Sequence, residues 1–178
     1  MVACVQDFPV NYKRGFFHSG TRECTKMLSS IYKNLHYLKH FDAEDNPIFL
    51  QINLSLVLYN TRKNKIACFQ KGKQSNLFFT DHAYVDDPIN WKKDIFNYLL
   101  KNLDCTPVEE PAFEGILYTP FEKNKYHLHM VYSIKVKHIK HSSFKWETIS
   151  NCIESIYSFN DASKEYVDHL YLKLAVGK

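Results

Sequence analysis

His127 and His129 stand two residues apart in a run that reads as a strand, so both rings are expected on one face. That spacing suits two jobs. A pair of imidazoles can begin a zinc site, which needs a third and usually a fourth ligand from His82, His138 or His141. One ring can also move a proton near neutral pH, where imidazole titrates. The plain structural reading is one packed, hydrogen-bonded ring beside a polar one. Asp86, Asp87 and Asp94 form a second group. Hard divalent cations take oxygen ligands, and one or two carboxylates hold a hydrated Mg²⁺ when phosphates supply the rest. The third group is cationic. Lys63, Lys65, Lys71 and Lys73 surround a predicted hairpin and loop, and Lys135, Lys137, His138 and Lys140 follow the two histidines. Such runs are usually solvated faces or edge protection. Their functional reading is an anionic partner, such as nucleotide phosphate or RNA.

Other chemistries lack their residues. Five glycines in 178 residues leave no glycine-rich phosphate loop, and there is no Gly-x-Ser-x-Gly. His141-Ser142-Ser143 has no second His-x-Ser/Thr to make a two-histidine phosphoesterase. Cys4, Cys24, Cys68, Cys105 and Cys152 are scattered, with no metal-knuckle spacing and no context that marks a nucleophile. Their odd number, with no leader ahead of them, reads as reduced thiols in a cytoplasmic protein.

The elements that must position these residues follow from periodicity. Residues 1–19 read as an irregular or strand-like lead-in. Thr21 to His40 reads as a helix capped by Thr21, with Cys24, Met27, Leu28, Ile31, Leu35 and Leu38 on one face. A polar turn at Asp42–Pro47 precedes strands over Ile48–Tyr59 and Lys65–Gln70, and a short strand starts at Leu77. The second helix has Asp87 as its N-cap and Pro88 in its first turn, with Trp91, Ile95, Leu99 and Leu103 as its buried stripe. Strands over Phe113–Tyr118 and Tyr126–His138 flank a turn at Thr119–Lys125. Helices over Trp146–Ser158 and Ala162–Leu174, the latter capped by Asp161, finish the chain.

Hydrophobic residues make up 45% and charged residues 24%, which is the balance of a globular domain, and the length allows a real core. Aromatic residues, at 15%, are read as core rather than as a stacking surface for bases. A net charge of +4 mildly favours anionic ligands but is too small to mark a nucleic-acid binder. No apolar run approaches the roughly 20 residues of a membrane span.

Several local motifs then fall in a telling order. Gly15-Phe16-Phe17 precedes an amphipathic helix. Ala43-Glu44-Asp45 precedes Leu50-Gln51-Ile52. Asp81-His82-Ala83-Tyr84, Gly115-Ile116-Leu117, His127-Leu128-His129-Met130-Val131-Tyr132 and Trp146-Glu147-Thr148 follow. Over about residues 15–150 this order resembles a divergent branch of the Nudix superfamily, that of the predicted phosphoesterases. The resemblance implies an α/β fold, a Nudix-like mixed β-sheet sandwich flanked by helices, with an N-terminal helical extension and two C-terminal helices. It implies a single domain over 1–178: extension 1–45, sheet core 46–140 with a degenerate Nudix helix at 88–103, and C-terminal helices 141–178.

The family's diagnostic helix reads Arg-Glu-aliphatic-x-Glu-Glu-aliphatic. In the best register Asn97 and Tyr98 fall on Arg-Glu, Lys101 and Asn102 on Glu-Glu, and Leu99 and Leu103 on the aliphatic positions. Amides cannot replace carboxylates around Mg²⁺, and Lys101 brings positive charge to the cation's seat. The expectation is therefore a catalytically inactive Nudix-like domain that binds a nucleotide, a nucleotide-derived ligand or a protein partner. The ligand-binding candidates are His82, Tyr84, Asn97, Lys101, Asn102, His127, His129, Lys71 and Lys73. No cofactor is expected. Mg²⁺ enters only in the alternative, a divergent metal-assisted hydrolase of nucleoside diphosphate derivatives that uses displaced His and Asp residues. A purely structural interaction subunit is the third reading. No membrane association is expected, and nucleic acid has weak support.

Overall fold

Runs of β-branched and aromatic residues form strands here, and runs with apolar residues three and four apart form helices. The computed structural model describes residues 1–8, 12–39, 42–43, 46, 48–62, 64–82, 91–122, 125–140 and 143–176. The expected roles of Glu44, Asp45, Pro47, Lys63, Tyr84, Asp86, Asp87, Pro88 and His141 lie outside the described residues. In chain order the elements are β1 (Val2–Gln6), β2 (Gly15–His18), α1 (Arg22–Lys33), β3 (Leu35–Leu38), β4 (Phe49–Asn60), β5 (Lys65–Lys71), β6 (Gln74–Asn76) and β7 (Phe79–His82). There follow α2 (Trp91–Asn102), β8 (Ala112–Glu122), β9 (Lys125–Val136), β10 (Phe144–Thr148), α3 (Ile149–Glu154), a 3₁₀ turn at Ile156–Ser158 and α4 (Asp161–Val176). Within the stretch expected as a turn at 119–125, β8 runs on to Glu122 and β9 resumes at Lys125.

The chain packs as two compact units. The first comprises Met1–Ser55, Thr80–Leu99 and Phe113–Val131, and the second Leu56–Phe79, Leu100–Ala112 and Tyr132–Lys178. In the first unit β1 pairs antiparallel with β3 on one side and β4 on the other, through Val2↔Leu38 and Cys4↔Gln51. Residues Val2 to Val5 are correspondingly buried. The strand order continues β4-β9-β8-β2, and β2 pairs antiparallel with β8 from Gly15↔Tyr118 to His18↔Gly115.

Helix α1 begins where the sequence predicts. The Thr21 hydroxyl accepts the Cys24 backbone N–H at 3.2 Å, and Cys24, Met27 and Ile31 form the buried stripe. The expected extension to His40 does not occur. The helix ends at Lys33 with Asn34 as its C-cap, and Leu35–Leu38 is a strand. Leu35 and Leu38 kept the helical spacing, but backbone pairing to β1 outweighs it. A Thr21→Ala substitution removes the cap and is expected to cost about 1 kcal/mol, read as a lowered urea midpoint with an unchanged slope.

In the second unit β5 lies between β10 and the end of β4, where Tyr59 pairs with Ile66. It also pairs with β6 through a tight turn in which Gly72 takes φ 62°. The helix expected over Trp146–Ser158 is corrected. Phe144–Thr148 is a strand bound to β5, and Trp146 faces Ala67 in the register. Thr148 then caps α3, accepting from the Asn151 backbone N–H at 3.2 Å, and α3 ends after Glu154. Asp161 is not the cap of α4. Asn160 takes that place, its side-chain oxygen accepting the Ser163 backbone N–H at 2.9 Å, and Asp161 pairs with Lys164 at 3.0 Å. Tyr166 and Val167 of α4 and Phe159 before it are core residues. Among the described residues no helix is long and apolar enough to cross a membrane.

Candidate functional site

Helix α2 keeps the structural half of the expected motif. Leu99 and Leu103 are fully buried, while Asn97, Lys101 and Asn102 are exposed. The helix stops one residue short of the expected end, for a local reason. Asp104 adopts φ 43°, its N–H is bonded to the Lys101 carbonyl, and the Cys105 N–H reaches the Leu100 carbonyl. This paired closure is a Schellman motif, with aspartate where glycine is commoner. Asp94 lies within α2, but its side chain is outside the described residues, as are those of His82 in β7 and Lys71 in β5. The described polar side chains of α2 offer a divalent cation two amides and an ammonium at the motif's positions. They do not fit Mg²⁺, because the amides bring no anionic oxygen and the ammonium repels the cation.

The histidine pair lies in the first unit, on a strand as predicted. His127 and His129 share one face of β9, with ring centroids 5.7 Å apart, and both are partly exposed. His129 Nδ1 lies 2.9 Å from the hydroxyl of Ser55 on β4, and that hydroxyl lies 2.7 Å from the hydroxyl of Thr80 on β7. This chain of three groups runs from a partly exposed ring through a fully buried hydroxyl to an exposed one. It fixes the plane of the imidazole. It also occupies Nδ1, so His129 would ligate a metal only through Nε2. Among the described residues neither histidine belongs to a group of three close metal-ligating side chains, so the zinc reading gains no third donor.

Two residues before Ser55 on β4 stands Asn53, only 2% exposed. Its side-chain oxygen is buried without a hydrogen-bond partner among the described residues. An orphaned buried acceptor costs on the order of 1–3 kcal/mol unless a donor reaches it. Alternation places Asn53 on the same face of β4 as Ser55. Asn53, Ser55 and Thr80 are not among the residues expected from the sequence, although Asn53 and Ser55 are the polar residues inside the apolar run Ile52–Leu58.

The basic clusters are less available than their residue types imply. Lys135 pairs with Glu109 at 2.9 Å and Lys140 with Asp104 at 2.9 Å, whereas Lys65, Lys73, Lys137 and His138 are exposed. In the second unit Lys145 pairs with Glu147 at 2.7 Å, and Glu147 also accepts from the Asn151 amide at 3.0 Å. The Lys145 hydrogen bond, seconded by Asn151, holds the Glu147 carboxyl below the ordinary range.

No protein-family model and no curated protein matches this sequence. Solved structures do match. The crystal structure of Tm1382, provisionally described as a Nudix hydrolase, aligns with a TM-score of 0.76 at 15% identity, covering 95% of this chain and 97% of that one. A Listeria monocytogenes protein provisionally described as a NUDIX hydrolase aligns at 0.48 and 11% identity, covering 72% and 95%. The mutator MutT protein of Bacillus halodurans aligns at 0.48 and 13%, covering 68% and 82%. The likeness to Tm1382 shows that this chain has the Nudix-like α/β fold expected from its sequence. At such identity the likeness speaks to fold, because one fold hosts many activities.

Proposed function

We propose that this Nudix-like domain binds a nucleotide or nucleotide-derived ligand without hydrolysing it. One observation supports the reading. Leu99 and Leu103 of helix α2 are buried, while Lys101 and Asn102 are exposed. In the register read from the sequence, these exposed residues stand where the family carries carboxylates, so the helix frame is kept without the metal-binding charge. Lysine and asparagine still suit a phosphate oxygen, which accepts from an ammonium or an amide N–H. The polar face of β4, in the first unit, is a separate candidate surface. The Asn53 oxygen calls for an N–H or O–H donor, and the exocyclic amino group of a nucleobase is one such donor. His127 and His129 stand on the neighbouring strand.

The test is a thermal-shift screen against nucleoside mono-, di- and triphosphates and dinucleotides, each with and without Mg²⁺. Ligand that binds only the native state stabilises it, by about 2.7 kcal/mol at 100 times Kd. A rise in melting temperature that is unchanged by chelator is the expected result. A rise that requires Mg²⁺ and releases product would overturn it in favour of the displaced-residue hydrolase. No shift with any nucleotide would move the reading to a protein-binding domain.

A further inference from the structure

The second unit holds a feature that nucleotide binding does not use. Cys68 on β5 and Cys152 on α3 are both fully buried, and their sulfurs lie 3.8 Å apart. They are 84 residues apart in sequence, so only the fold brings them together. The arrangement is built from both sides. Cys68 faces Lys145 in the β5–β10 register, and β10 runs directly into α3 through the Thr148 cap. The Lys145–Glu147–Asn151 hydrogen bonds tie β10 to the same short helix.

One member of the pair lines a cavity of about 440 Å³ that is open to solvent: Cys68, together with Lys145, Glu147, Asn151 and Ser155. We propose that Cys68 and Cys152 are a redox-active dithiol, closed to an intramolecular disulfide by small hydroperoxides that enter this cavity.

The chemistry balances within the pair and the oxidant. The thiolate of one cysteine attacks the O–H oxygen of the hydroperoxide, the O–O bond breaks, and an alkoxide or hydroxide leaves and takes a proton from water. The product is a sulfenic acid on that cysteine. The sulfur of the other, already in contact, then attacks the sulfenic sulfur. Its proton leaves with the departing hydroxide as water, and the S–S bond forms. Two thiols are oxidised and one hydroperoxide is reduced to an alcohol, or to water when the oxidant is hydrogen peroxide. The contact with Cys68 favours the thiolate on Cys152, with Lys145 adding to it against the opposing effects of burial and Glu147. The same contact, together with burial, pushes the Cys68 thiol up. The other cysteines lack such a partner. Burial pushes Cys4 and Cys105 up to about 11, so both stay protonated thiols.

The experiment treats the fully reduced protein with hydrogen peroxide, alkylates the remaining thiols, and maps peptides without reduction. The expected product joins the peptides of Cys68 and Cys152, with a mass loss of about 2 Da that dithiothreitol reverses. Cys68→Ala and Cys152→Ala are each expected to abolish this cross-link. Unchanged alkylation of both thiols after peroxide, or a cross-link that joins different cysteines, would overturn the proposal. The wild-type map decides the matter even where an alanine variant fails to fold. It is also independent of the nucleotide reading, since it needs no ligand.

Discussion

Gly115→Ala is expected to be among the most damaging single-methyl changes in this protein. Gly115 is buried in β8, opposite His18 of β2, with φ 155°, a conformation that side chains rarely adopt. A Cβ built there would meet the Phe17 carbonyl oxygen at 2.2 Å, the Phe17 carbonyl carbon at 3.0 Å and the tip of the Phe16 ring at 2.9 Å. The ring tip can yield, whereas the carbonyl belongs to the paired backbone and cannot move without opening the β2–β8 ladder. Overpacking of this kind, added to backbone strain, is expected to cost about 3 kcal/mol or more. The measurement is a urea midpoint, compared with two controls. Gly72→Ala also sits at positive φ, but nothing lies within 4 Å of its Cβ position, so only the conformational cost of about 1 kcal/mol is expected. Gly20→Ala has no positive φ, and its nearest neighbour is the His18 ring at 3.5 Å, an ordinary contact, so little change is expected. If Gly115→Ala unfolds no earlier than Gly72→Ala, β2 is not held against β8 as described.

These glycines also mark the limit of what the sequence discloses. Gly115 was recognisable as part of Gly115-Ile116-Leu117, but the reason for a glycine there lies in Phe17, on a strand about a hundred residues earlier. Local signals read well when their partners are local. Thr21 caps the turn that begins beside it, and Cys24, Met27 and Ile31 bury the face that their spacing describes. Signals failed where a distant strand decided the outcome. Leu35 and Leu38 continue the spacing of α1 by coincidence, and pairing to β1 draws them into β3. Trp146 belongs to a run that looks helical until β5 supplies hydrogen bonds along Phe144–Thr148. The site shows the same division. His127 and His129 were visible as a pair because alternation puts them on one face. Ser55 meets His129 across 74 residues and Thr80 across 25, and no spacing rule reaches so far. Asn160 displaced Asp161 as the cap of α4 because both are good capping residues and only the backbone decides between neighbours.

Lys101→Glu carries the other large expected effect, on ligand binding rather than on stability. Lys101 is exposed in the last turn of α2, so its removal opens no cavity. Reversing its charge there opposes the helix dipole, which is expected to cost about 0.3–1 kcal/mol of stability. A lysine that contacts a ligand phosphate contributes about 1.5–3 kcal/mol as a charge-assisted hydrogen bond, and a glutamate in its place adds repulsion. Nucleotide affinity is therefore expected to fall by about 10- to 100-fold or more, with Lys101→Ala near the lower end. Titration calorimetry with the nucleotide that gives the strongest thermal shift measures both variants against wild type. The salt dependence supplies an independent check, because a lost phosphate contact flattens the decline of affinity with ionic strength. Asn102→Glu serves as a second variant on the same turn. If it restores a carboxylate at a metal position, it should make residual binding respond to Mg²⁺, where wild-type binding does not. Unchanged affinity in Lys101→Glu and Asn102→Glu alike would remove α2 from the binding surface and leave the Asn53–Ser55 face of β4, with His129, as the place to look.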